Sequence, residues 1–270
     1  MDTELNAIVC QRIDLSDSAM IMRVMPEDGL TPDFRPGQFA VLGLPPDSPR
    51  CDSAVQEQEP PDPDRLIQRS YSISSASMVK DFLEFYVSLV PHGLLTPRLF
   101  TLQPGDRLWF SPKPSGIFTL ANVPEDSHIL MFATSTGLAP FMSMLRTEKL
   151  NHSKRKFALV HGARHSWQLP FRSELSSLQH ICENFTYLPI ISRPDDEPVP
   201  WKGLTGHIQD SWHNGSLDKI WDFHPAPENT HIFLCGNPKM VDQMLDITLV
   251  EGYTKHTNRL PGTVHIERYW

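Results

Sequence analysis

The chain has 270 residues, 40% hydrophobic and 21% charged, and its formal net charge is −8. This length suits one large or two ordinary domains, and the acidic total argues against nonspecific nucleic-acid binding, which needs a basic surface. Cys10, Cys51, Cys182 and Cys235 form no closely spaced pair, so we expect no metal or iron–sulfur site. There is no signal-like start and no apolar run of membrane-spanning length, which predicts a cytoplasmic protein.

The first half of the chain consists of short strand-like segments separated by Gly and Pro turns. The predicted strands and turn-strand segments are 5–13, 19–25, 34–42, 68–75, 81–90, 107–111 and 116–120. One brief helix is expected over 94–100, with Thr96 as its N-cap and Pro97 at its first position. This pattern predicts an antiparallel β-barrel that forms a domain over residues 1–121.

Residues 68–75 carry the most distinctive chemistry of this half. On a strand, Arg69 and Tyr71 would point to one face and Ser70 and Ser72 to the other. A guanidinium next to a flat phenol suits a flat, anionic ligand that presents a phosphate and a ring.

Residues 45–66 differ from the segments around them. They are rich in Pro, Asp, Glu and Gln and contain few large apolar side chains. Such a composition cannot bury itself, so we expect an exposed and mobile loop, to which the sequence assigns no role.

The second half alternates buried strands with helices. Residues 128–133 are almost wholly apolar, as expected of a parallel strand, and a small-residue turn and a helix follow them. Further strands are predicted at 156–161, 186–191 and 231–235, and helices at 171–182 and 238–250. The alternation predicts an α/β doubly wound parallel sheet that forms a second domain over residues 122–270.

Ligands of such sheets bind at the carboxyl ends of the strands. The turn at 134–137 follows the first strand but has a single glycine, so it lacks the full dinucleotide-binding fingerprint. Arg164 and Arg193 follow two neighbouring predicted strands. Two arginines at strand ends in an acidic protein indicate a bound anion such as a phosphate.

The motifs together resemble the ferredoxin–NADP reductase superfamily. Arg-x-Tyr-Ser at 69–72 and Cys-Gly-Asn-Pro at 235–238 occur in the order of that family, and the tail Glu267-Arg268-Tyr269-Trp270 is similar to that of its bacterial ferredoxin/flavodoxin–NADP reductases. The resemblance covers nearly the whole chain. It implies FAD in the barrel, NADP(H) on the sheet domain, and an enzyme that moves electrons between NADPH and ferredoxin or flavodoxin.

The resemblance also implies the roles of individual residues. The catalytic residues would be Ser72, Cys235, Glu267 and Tyr269. The FAD site would consist of Arg69, Ser70, Tyr71, Ser72, Tyr86, Val87, Ser88, Leu89, Leu94, Leu95, Thr96, Thr136, Tyr269 and Trp270. The NADP site would consist of Ala163, Arg164, Ser192, Arg193, His207, Gly236, Asn237 and Pro238.

Some positions depart from the family pattern. His207 stands where this subclass usually has an arginine, which weakens the prediction of strict NADP preference, and Leu94 replaces a usual lysine. The loop at 45–66 is also longer than the family pattern. The partners would be acidic carriers that dock on a monomer, with no membrane or nucleic-acid partner. The candidate docking residues are Arg65, Arg69, Arg98, Lys255, Arg259 and Arg268.

Two other functions remain open on the sequence alone. The same two domains could form a reductase component that delivers electrons from NAD(P)H to an oxygenase or a ferric chelate. The chain lacks the closely spaced cysteines of a built-in iron–sulfur module, so the acceptor would be a separate partner. A non-catalytic redox sensor that binds flavin and nucleotide is the third possibility.

Overall fold

The computed structural model describes residues 4–148, 150 and 154–268. The chain divides into two compact units. We call Met1–Thr119 with Ala139–Thr147 the barrel unit, and Leu120–Leu138 with Glu148–Trp270 the sheet unit. No helix in the described ranges is both long enough and apolar enough to cross a membrane.

The barrel unit contains a six-stranded antiparallel sheet. Its strands are β1 (Ala7–Ser16), β2 (Ala19–Pro26), β3 (Phe39–Leu44), β4 (Ile67–Ser72), β5 (Leu83–Ser88) and β6 (Arg107–Phe110). Their order is β4-β3-β6-β1-β2-β5, and a bridge between Ile73, directly after β4, and Phe85 of β5 connects the two ends of the sheet. Apolar residues of every strand, such as Leu42 and Phe110, fill the interior. The antiparallel barrel predicted from the sequence is confirmed.

Two local predictions in this unit are wrong. Residues 116–120 do not form a strand, because Gly116 has φ +117° and the Thr119 amide bonds to the Ile117 carbonyl in a tight turn. Thr96 is not the N-cap of the short helix α1 (Thr96–Leu99), because Leu95 precedes the helix and Thr96 is already helical. Its hydroxyl instead accepts a hydrogen bond from the Val90 amide at 3.0 Å.

Helix α2 (Ala139–Thr147) belongs to the barrel unit although it follows the first strand of the other sheet. Ser143 donates to the Ser75 carbonyl at 2.8 Å, and Arg146 pairs with the buried Glu84 of β5 at 2.6 Å. Arg23 of β2 pairs with the same carboxylate at 2.9 Å. A buried ionic cluster therefore attaches α2 to two strands.

The sheet unit contains a six-stranded parallel sheet. Its strands are β7 (His128–Thr134), β8 (Phe157–Ala163), β9 (Phe185–Ile191), β10 (Leu204–Thr205), β11 (Thr230–Gly236) and β12 (Val264–Arg268). Their order is β10-β9-β8-β7-β11-β12. The chain runs from β7 towards one edge and then returns to β11 on the other side of β7. The strand order therefore reverses between β7 and β11, and this doubly wound arrangement confirms the predicted fold class.

Helices complete this unit. They are α3 (Arg172–Ile181), α4 (Ile208–His213), α5 (Ser216–Trp221) and α6 (Pro238–Val250). Side chains of α4, α5 and α6 share one apolar cluster with alternate residues of β7, β8 and β11, whereas α3 packs beside β9. The aromatic residues Trp212, Trp221 and Tyr253 are the largest members of that cluster.

Buried histidines also lie inside the sheet unit. His161 of β8 bonds through Nδ1 to the Tyr187 hydroxyl at 3.1 Å. His265 of β12 bonds through Nε2 to His231 Nδ1 at 3.0 Å and stacks on Phe233 with a centroid distance of 4.2 Å. Burial lowers the pKa of both His161 and His265 to about 3. Both rings are therefore neutral in the folded protein near neutral pH.

Candidate functional site

Strand β4 presents the Arg-x-Tyr-Ser segment in regular antiparallel pairing with β3. Tyr71 lies opposite Ala40 and Ser72 lies opposite Phe39. Ser72 is buried, Tyr71 is half-buried and Arg69 is exposed. The Arg69 guanidinium donates to the neighbouring Gln68 carbonyl at 2.7 Å, and no carboxylate of the described residues pairs with it. Arg69 is therefore available to an anion from solution.

Three of the predicted site residues form a half-buried apolar rim on the barrel core. Tyr71, Leu89 and Leu94 are partly exposed and pack against the buried cluster. Burial raises the pKa of the Tyr71 phenol above its ordinary value. Burial also raises the pKa of Tyr86 to about 12, with a smaller opposing effect of a hydrogen bond to Ser88. Both phenols stay neutral, so this part of the barrel offers a flat ligand an uncharged surface.

Thr96 and its neighbours form a turn that precedes and begins α1. The Thr96 hydroxyl bonds to both the amide and the carbonyl of Val90, at 3.0 and 3.2 Å. The Gly93 amide also bonds to the Val90 carbonyl, at 2.8 Å. Leu95 is buried in this turn, and Val87 is buried in the strand before it. Residues 86–89 and 94–96, which the sequence assigns to the FAD site, are thus joined by one hydrogen-bonded turn.

In the sheet unit, the loops after β7 and β11 meet where the strand order reverses. Gly137 lies so close to the Cys235 backbone that an added Cβ would be only 2.5 Å from the Cys235 carbonyl carbon. Gly236 has φ +134°, a conformation that side chains strongly disfavour. The Thr134 hydroxyl accepts from the Asn237 amide at 2.8 Å. The two loops form a tight backbone cradle at the position where parallel sheets bind ligands.

Cys235 and Glu267 are brought together at the edge of this cradle. They lie opposite each other in the parallel pairing of β11 and β12. Cys235 is fully buried, whereas Glu267 is half-buried. The Asn237 side chain caps α6 by accepting from the Lys239 amide at 2.9 Å. Pro238 occupies the first position of that helix.

Arg164 and Arg193 are neighbours at the ends of β8 and β9, as the sequence predicts. The Arg193 amide donates to the Arg164 carbonyl at 3.0 Å, and the Ser192 amide donates to the Ala163 carbonyl at 3.0 Å. Both arginine side chains are exposed, and neither has an acidic partner in the part of the chain that the structure describes. Two exposed arginines on adjacent strand ends can together attract an anion.

His207 lies beside this arginine pair along the sheet. It follows β10, and its amide donates to the Asp210 carboxylate at 2.6 Å at the start of α4. The preceding residue, Gly206, bonds through its amide to the Ile191 carbonyl at the end of β9. The exposed His207 is thus next to the end of β9, which Ser192 and Arg193 follow.

The loops after β8 and β9 are also joined by side chains that the sequence did not single out. His165 pairs with Asp196 at 3.3 Å, and Ser166 donates through both its amide and its hydroxyl to Glu197, at 2.7 and 2.5 Å. The acidic run 195–197, which follows Arg193 and Pro194, is the sequence feature that could have indicated these contacts.

Two predicted residues, Tyr269 and Trp270, lie outside the described residues. One docking candidate is wrong. Arg98 is buried, with 3% of its side chain exposed, and its charge is paired with Glu57 at 2.7 Å. Arg268 is partly occupied by its ion pair with Asp242, while Arg65 keeps 83% of its side chain exposed.

Known proteins resemble this chain in sequence. A family model described as an oxidoreductase NAD-binding domain matches residues 131–246. The flavodoxin/ferredoxin–NADP reductase of Escherichia coli (strain K12) is 33% identical over 239 residues, which cover 88% of this chain and 88% of that protein. The enzyme of the same name from Buchnera aphidicola subsp. Baizongia pistaciae is 34% identical over 208 residues, or 76% and 82% of the two chains.

Solved structures show the same fold. A ferredoxin NADP+ reductase from Neisseria gonorrhoeae, solved with bound FAD and NADP, has a TM-score of 0.80 at 24% identity, covering 98% of each chain. A cytochrome P450 reductase from Amycolatopsis has a TM-score of 0.75 at 23% identity, covering 98% of this chain and 69% of that one. From its identity to reductases that it covers over most of their length, the chain belongs to the flavodoxin/ferredoxin–NADP reductase family.

Proposed function

We propose that this protein is an FAD-dependent oxidoreductase that transfers electrons between NADPH and one-electron carriers, ferredoxin or flavodoxin. The similarity to the named reductases carries this proposal, because 239 matched residues exceed the length of either unit and so must include both. FAD would bind the barrel domain, residues 1–121, and NADP(H) the sheet domain, residues 122–270. A separate oxygenase or ferric chelate as acceptor, and a non-catalytic sensor, are the alternatives that the experiments below exclude or support.

The residues of the barrel suit FAD. Arg69 and Ser70 are exposed and would bind the pyrophosphate, and the rim around Tyr71 would support the flavin ring. The Ser72 hydroxyl would bond near the ring N5. The rest of the FAD contacts would come from Tyr86, Val87, Ser88, Leu89, Leu94, Leu95 and Thr96 in the barrel, with Thr136, Tyr269 and Trp270 from the remainder of the chain.

The sheet unit suits a dinucleotide with an additional phosphate. Arg164 and Arg193, with Ala163 and Ser192, would bind phosphate groups, and His207 would extend this site along the sheet. Gly236, Asn237 and Pro238 of the loop after β11 would complete the nucleotide site. A side chain at Gly236 would collide with Thr134, so glycine is needed there for the two loops to meet.

The bound flavin would supply the chemistry of accepting two electrons together and releasing them one at a time. The chain itself would orient the nicotinamide and exclude water. Cys235 and Glu267, side by side on β11 and β12, would flank the nicotinamide. Tyr269 would cover the ring as a side chain that moves aside when the nucleotide binds.

We also place the protein in the cytoplasm as a monomer. All four cysteines are free, which suits a reducing compartment. Acidic carriers would dock through exposed basic side chains, for which Arg65, Lys255 and Arg259 remain candidates. Electron transfer to a carrier should then slow as the ionic strength rises, because salt screens attraction between exposed charges.

An absorption spectrum of the purified protein, followed by anaerobic addition of NADPH or NADH, tests the proposal. We expect flavin bands that bleach faster with NADPH, and reduction of ferredoxin or flavodoxin at the expense of NADPH. A flavin that no nicotinamide nucleotide bleaches would favour the sensor. Bleaching by NADPH with no electron transfer to either carrier would favour a different acceptor. A protein that binds no flavin even with added FAD would contradict the whole proposal.

Replacing Arg193 tests the nucleotide site. We expect Arg193→Ala to raise the KM for NADPH about 10- to 100-fold, as expected for loss of a charge-assisted phosphate contact, and to leave the KM for NADH almost unchanged. Lys219→Ala, which removes an exposed cation from α5 of the same unit, is the control and should change neither constant. Equal losses with both nucleotides would contradict the assignment of Arg193 to the additional phosphate.

A further inference from the structure

Residues 45–66, which the sequence leaves without a role, are held against the turn that precedes α1. The Cys51 amide donates to the Pro97 carbonyl at 3.0 Å, and the Val55 amide donates to the Pro91 carbonyl at 2.9 Å. Pro49 accepts a longer bond, 3.4 Å, from the Thr101 hydroxyl. The segment is exposed along most of its length, as predicted, but these contacts attach it to the rest of the barrel unit at several points.

An ionic clasp forms the centre of this attachment. Glu57 pairs with Arg98 at 2.7 Å and with Arg50 at 3.6 Å. The Arg98 guanidinium also donates to the Leu94 carbonyl at 2.7 Å and to the Pro46 carbonyl. Arg98 thus contacts both sides of the attachment at once, the segment 45–66 and the turn before α1.

Arg50 adds a second connection. Its guanidinium donates to the Gly93 carbonyl at 3.3 Å, next to the carbonyl of Leu94 that Arg98 binds. The two arginines therefore hold two consecutive peptide groups of the turn. Glu57 is the carboxylate that both arginines contact, so its single negative charge is shared between them.

Glu57 makes the inward position of Arg98 possible. A buried guanidinium without a carboxylate is strongly unfavourable, so a neutral residue at position 57 would favour a conformation in which Arg98 turns towards solvent. Arg98 would then release the Leu94 carbonyl. The peptide groups of Gly93 and Leu94 directly precede Leu95 and Thr96, which belong to the proposed flavin site.

We propose that the ionic clasp of Arg50, Glu57 and Arg98, which attaches residues 45–66, retains the flavin, and that Glu57 is its positioning residue, acting through Arg50 and Arg98 on the turn at 93–96. This inference rests on the proposed function, because it takes that turn to bind FAD. Glu57 itself touches no cofactor in this scheme. It fixes the turn in the conformation that the bound flavin needs and so slows flavin release.

The test compares Glu57→Gln with Glu59→Gln in the flavin-loaded protein. Glu59 is an exposed carboxylate of the same segment, so its replacement removes the same charge without touching the clasp. Flavin release is followed by the rise of free-flavin fluorescence after dilution. We expect Glu57→Gln to release FAD about tenfold faster than the wild type, as expected for loss of a charge-assisted hydrogen bond, and Glu59→Gln to release it at the wild-type rate.

A second variant and a second measurement separate positioning from general destabilisation. Arg50→Gln removes one connection and leaves the Arg98–Glu57 pair, so its release rate should lie between those of the wild type and Glu57→Gln. The KM for NADPH should stay unchanged in both variants, because the arginines of the nucleotide site lie in the other unit. Glu57→Asp keeps a carboxylate and should restore slower release than Glu57→Gln.

The outcomes distinguish the two proposals. A wild-type protein that binds no FAD would contradict the proposed function itself. A wild-type protein that binds FAD, with Glu57→Gln releasing it no faster than Glu59→Gln, would contradict the clasp alone and leave the reductase assignment intact. Faster release in Glu57→Gln and Glu59→Gln alike would also contradict it, since the effect would then be one of net charge.

Discussion

The two units differ in the ionisable groups that they bury. The barrel unit buries charges in pairs, with Glu84 between Arg23 and Arg146 and with Arg98 against Glu57. The described part of the sheet unit has no acidic residue among its buried side chains. Its buried titratable groups include neutral histidines, which stack and bond with other rings, and Arg155, which donates to backbone carbonyls.

The difference follows from what each group connects. In the barrel unit, the buried pairs join segments far apart in the chain, such as β5 with α2 and residues 45–66 with α1. Two opposite charges attract each other over a longer distance than two apolar groups do. However, a buried charge that loses its partner destabilises the protein strongly, because it is no longer solvated by water. In the sheet unit the histidines lie on regular strands already positioned by the parallel sheet, where they pack as aromatic rings.

The largest expected effect comes from removing the carboxylate at the centre of the barrel cluster. Glu84 accepts hydrogen bonds from Arg23, Arg146 and Ser74 at 2.9, 2.6 and 3.0 Å. Glu84→Ala leaves two guanidinium groups without their charge partner, so we expect a loss of about 3–5 kcal/mol in the free energy of unfolding. Urea denaturation measures the loss, and hydrogen exchange of peptides from β5 and α2 shows where it arises.

Glu59→Ala is the matched control for that experiment. It removes an exposed carboxylate from the same unit and should change the free energy of unfolding by less than about 0.5 kcal/mol. Faster hydrogen exchange should appear in α2 as well as in β5 if the ionic cluster attaches that helix. A Glu84→Ala protein as stable as Glu59→Ala would show that the cluster does not hold the barrel unit together.

Acid should affect the two units in different pH windows. Burial lowers the pKa of His265 to about 3, with smaller contributions from His256 and His231. Below about pH 6.5 the unfolded chain therefore binds a proton at this histidine, whereas the folded protein does not. The stabilisation is present above about pH 6.5 and is lost as the pH falls towards 3. Below about pH 6.5, each such histidine lowers the free energy of unfolding by about 1.4 kcal/mol per pH unit. The total loss at pH 5 is about 2 kcal/mol.

Replacing one buried histidine should remove part of this pH dependence. We expect His265→Phe to unfold with a shallower loss of stability between pH 7 and 5 than the wild type, measured by urea denaturation at each pH. His180→Phe, at an exposed position of α3, should keep the wild-type slope. An unchanged slope in His265→Phe would show that this histidine does not stay neutral in the folded protein.

The barrel should respond only at lower pH. Burial raises the pKa of Glu84, but the charges and hydrogen bonds of Arg146 and Arg23 outweigh that effect and bring the pKa below its ordinary value. Its stabilisation is therefore complete above the unfolded carboxyl pKa of about 4.3 and is lost as the pH falls further. When the pH is lowered to 5, hydrogen exchange, relative to the intrinsic rate at that pH, should accordingly become faster in the sheet unit and should stay unchanged in the barrel unit.

The sequence predicted those features that local patterns determine. Strands β1 to β9 and β11 follow from alternation and apolar runs, whereas β10 and β12 were not predicted. The adjacency of Arg164 and Arg193 follows from parallel strands that end at one edge. The resemblance gave Cys235 and Glu267 as catalytic residues, and the pairing of β11 with β12 places the two opposite each other, which the sequence pattern alone did not indicate.

The features that escaped prediction depend on contacts between distant segments. Nothing in the periodicity around Arg98 indicates that Glu57, 41 residues earlier, pairs with it, so the arginine was assigned to the surface. Helix α2 has apolar residues on all sides, which shows that it is buried but not against which unit. The sequence position of Thr96 suggested an N-cap, but its hydroxyl accepts a hydrogen bond from the Val90 amide instead of from the helix.

The smallest effect tests whether the bonded ring pairs of the sheet unit contribute beyond packing. The Tyr187 hydroxyl is the hydrogen-bond partner of His161 Nδ1, and His161 Nε2 has no partner among the described residues. Tyr187→Phe should therefore cost about 1 kcal/mol in the free energy of unfolding, because it leaves a buried ring without its hydrogen bond. Tyr253→Phe is a close control, since the buried Tyr253 hydroxyl has no partner in the described ranges, and its removal should be neutral or slightly stabilising. Equal losses in the two variants would mean that the hydroxyl contributes through its volume, and the neutral histidines would then be aromatic packing groups alone.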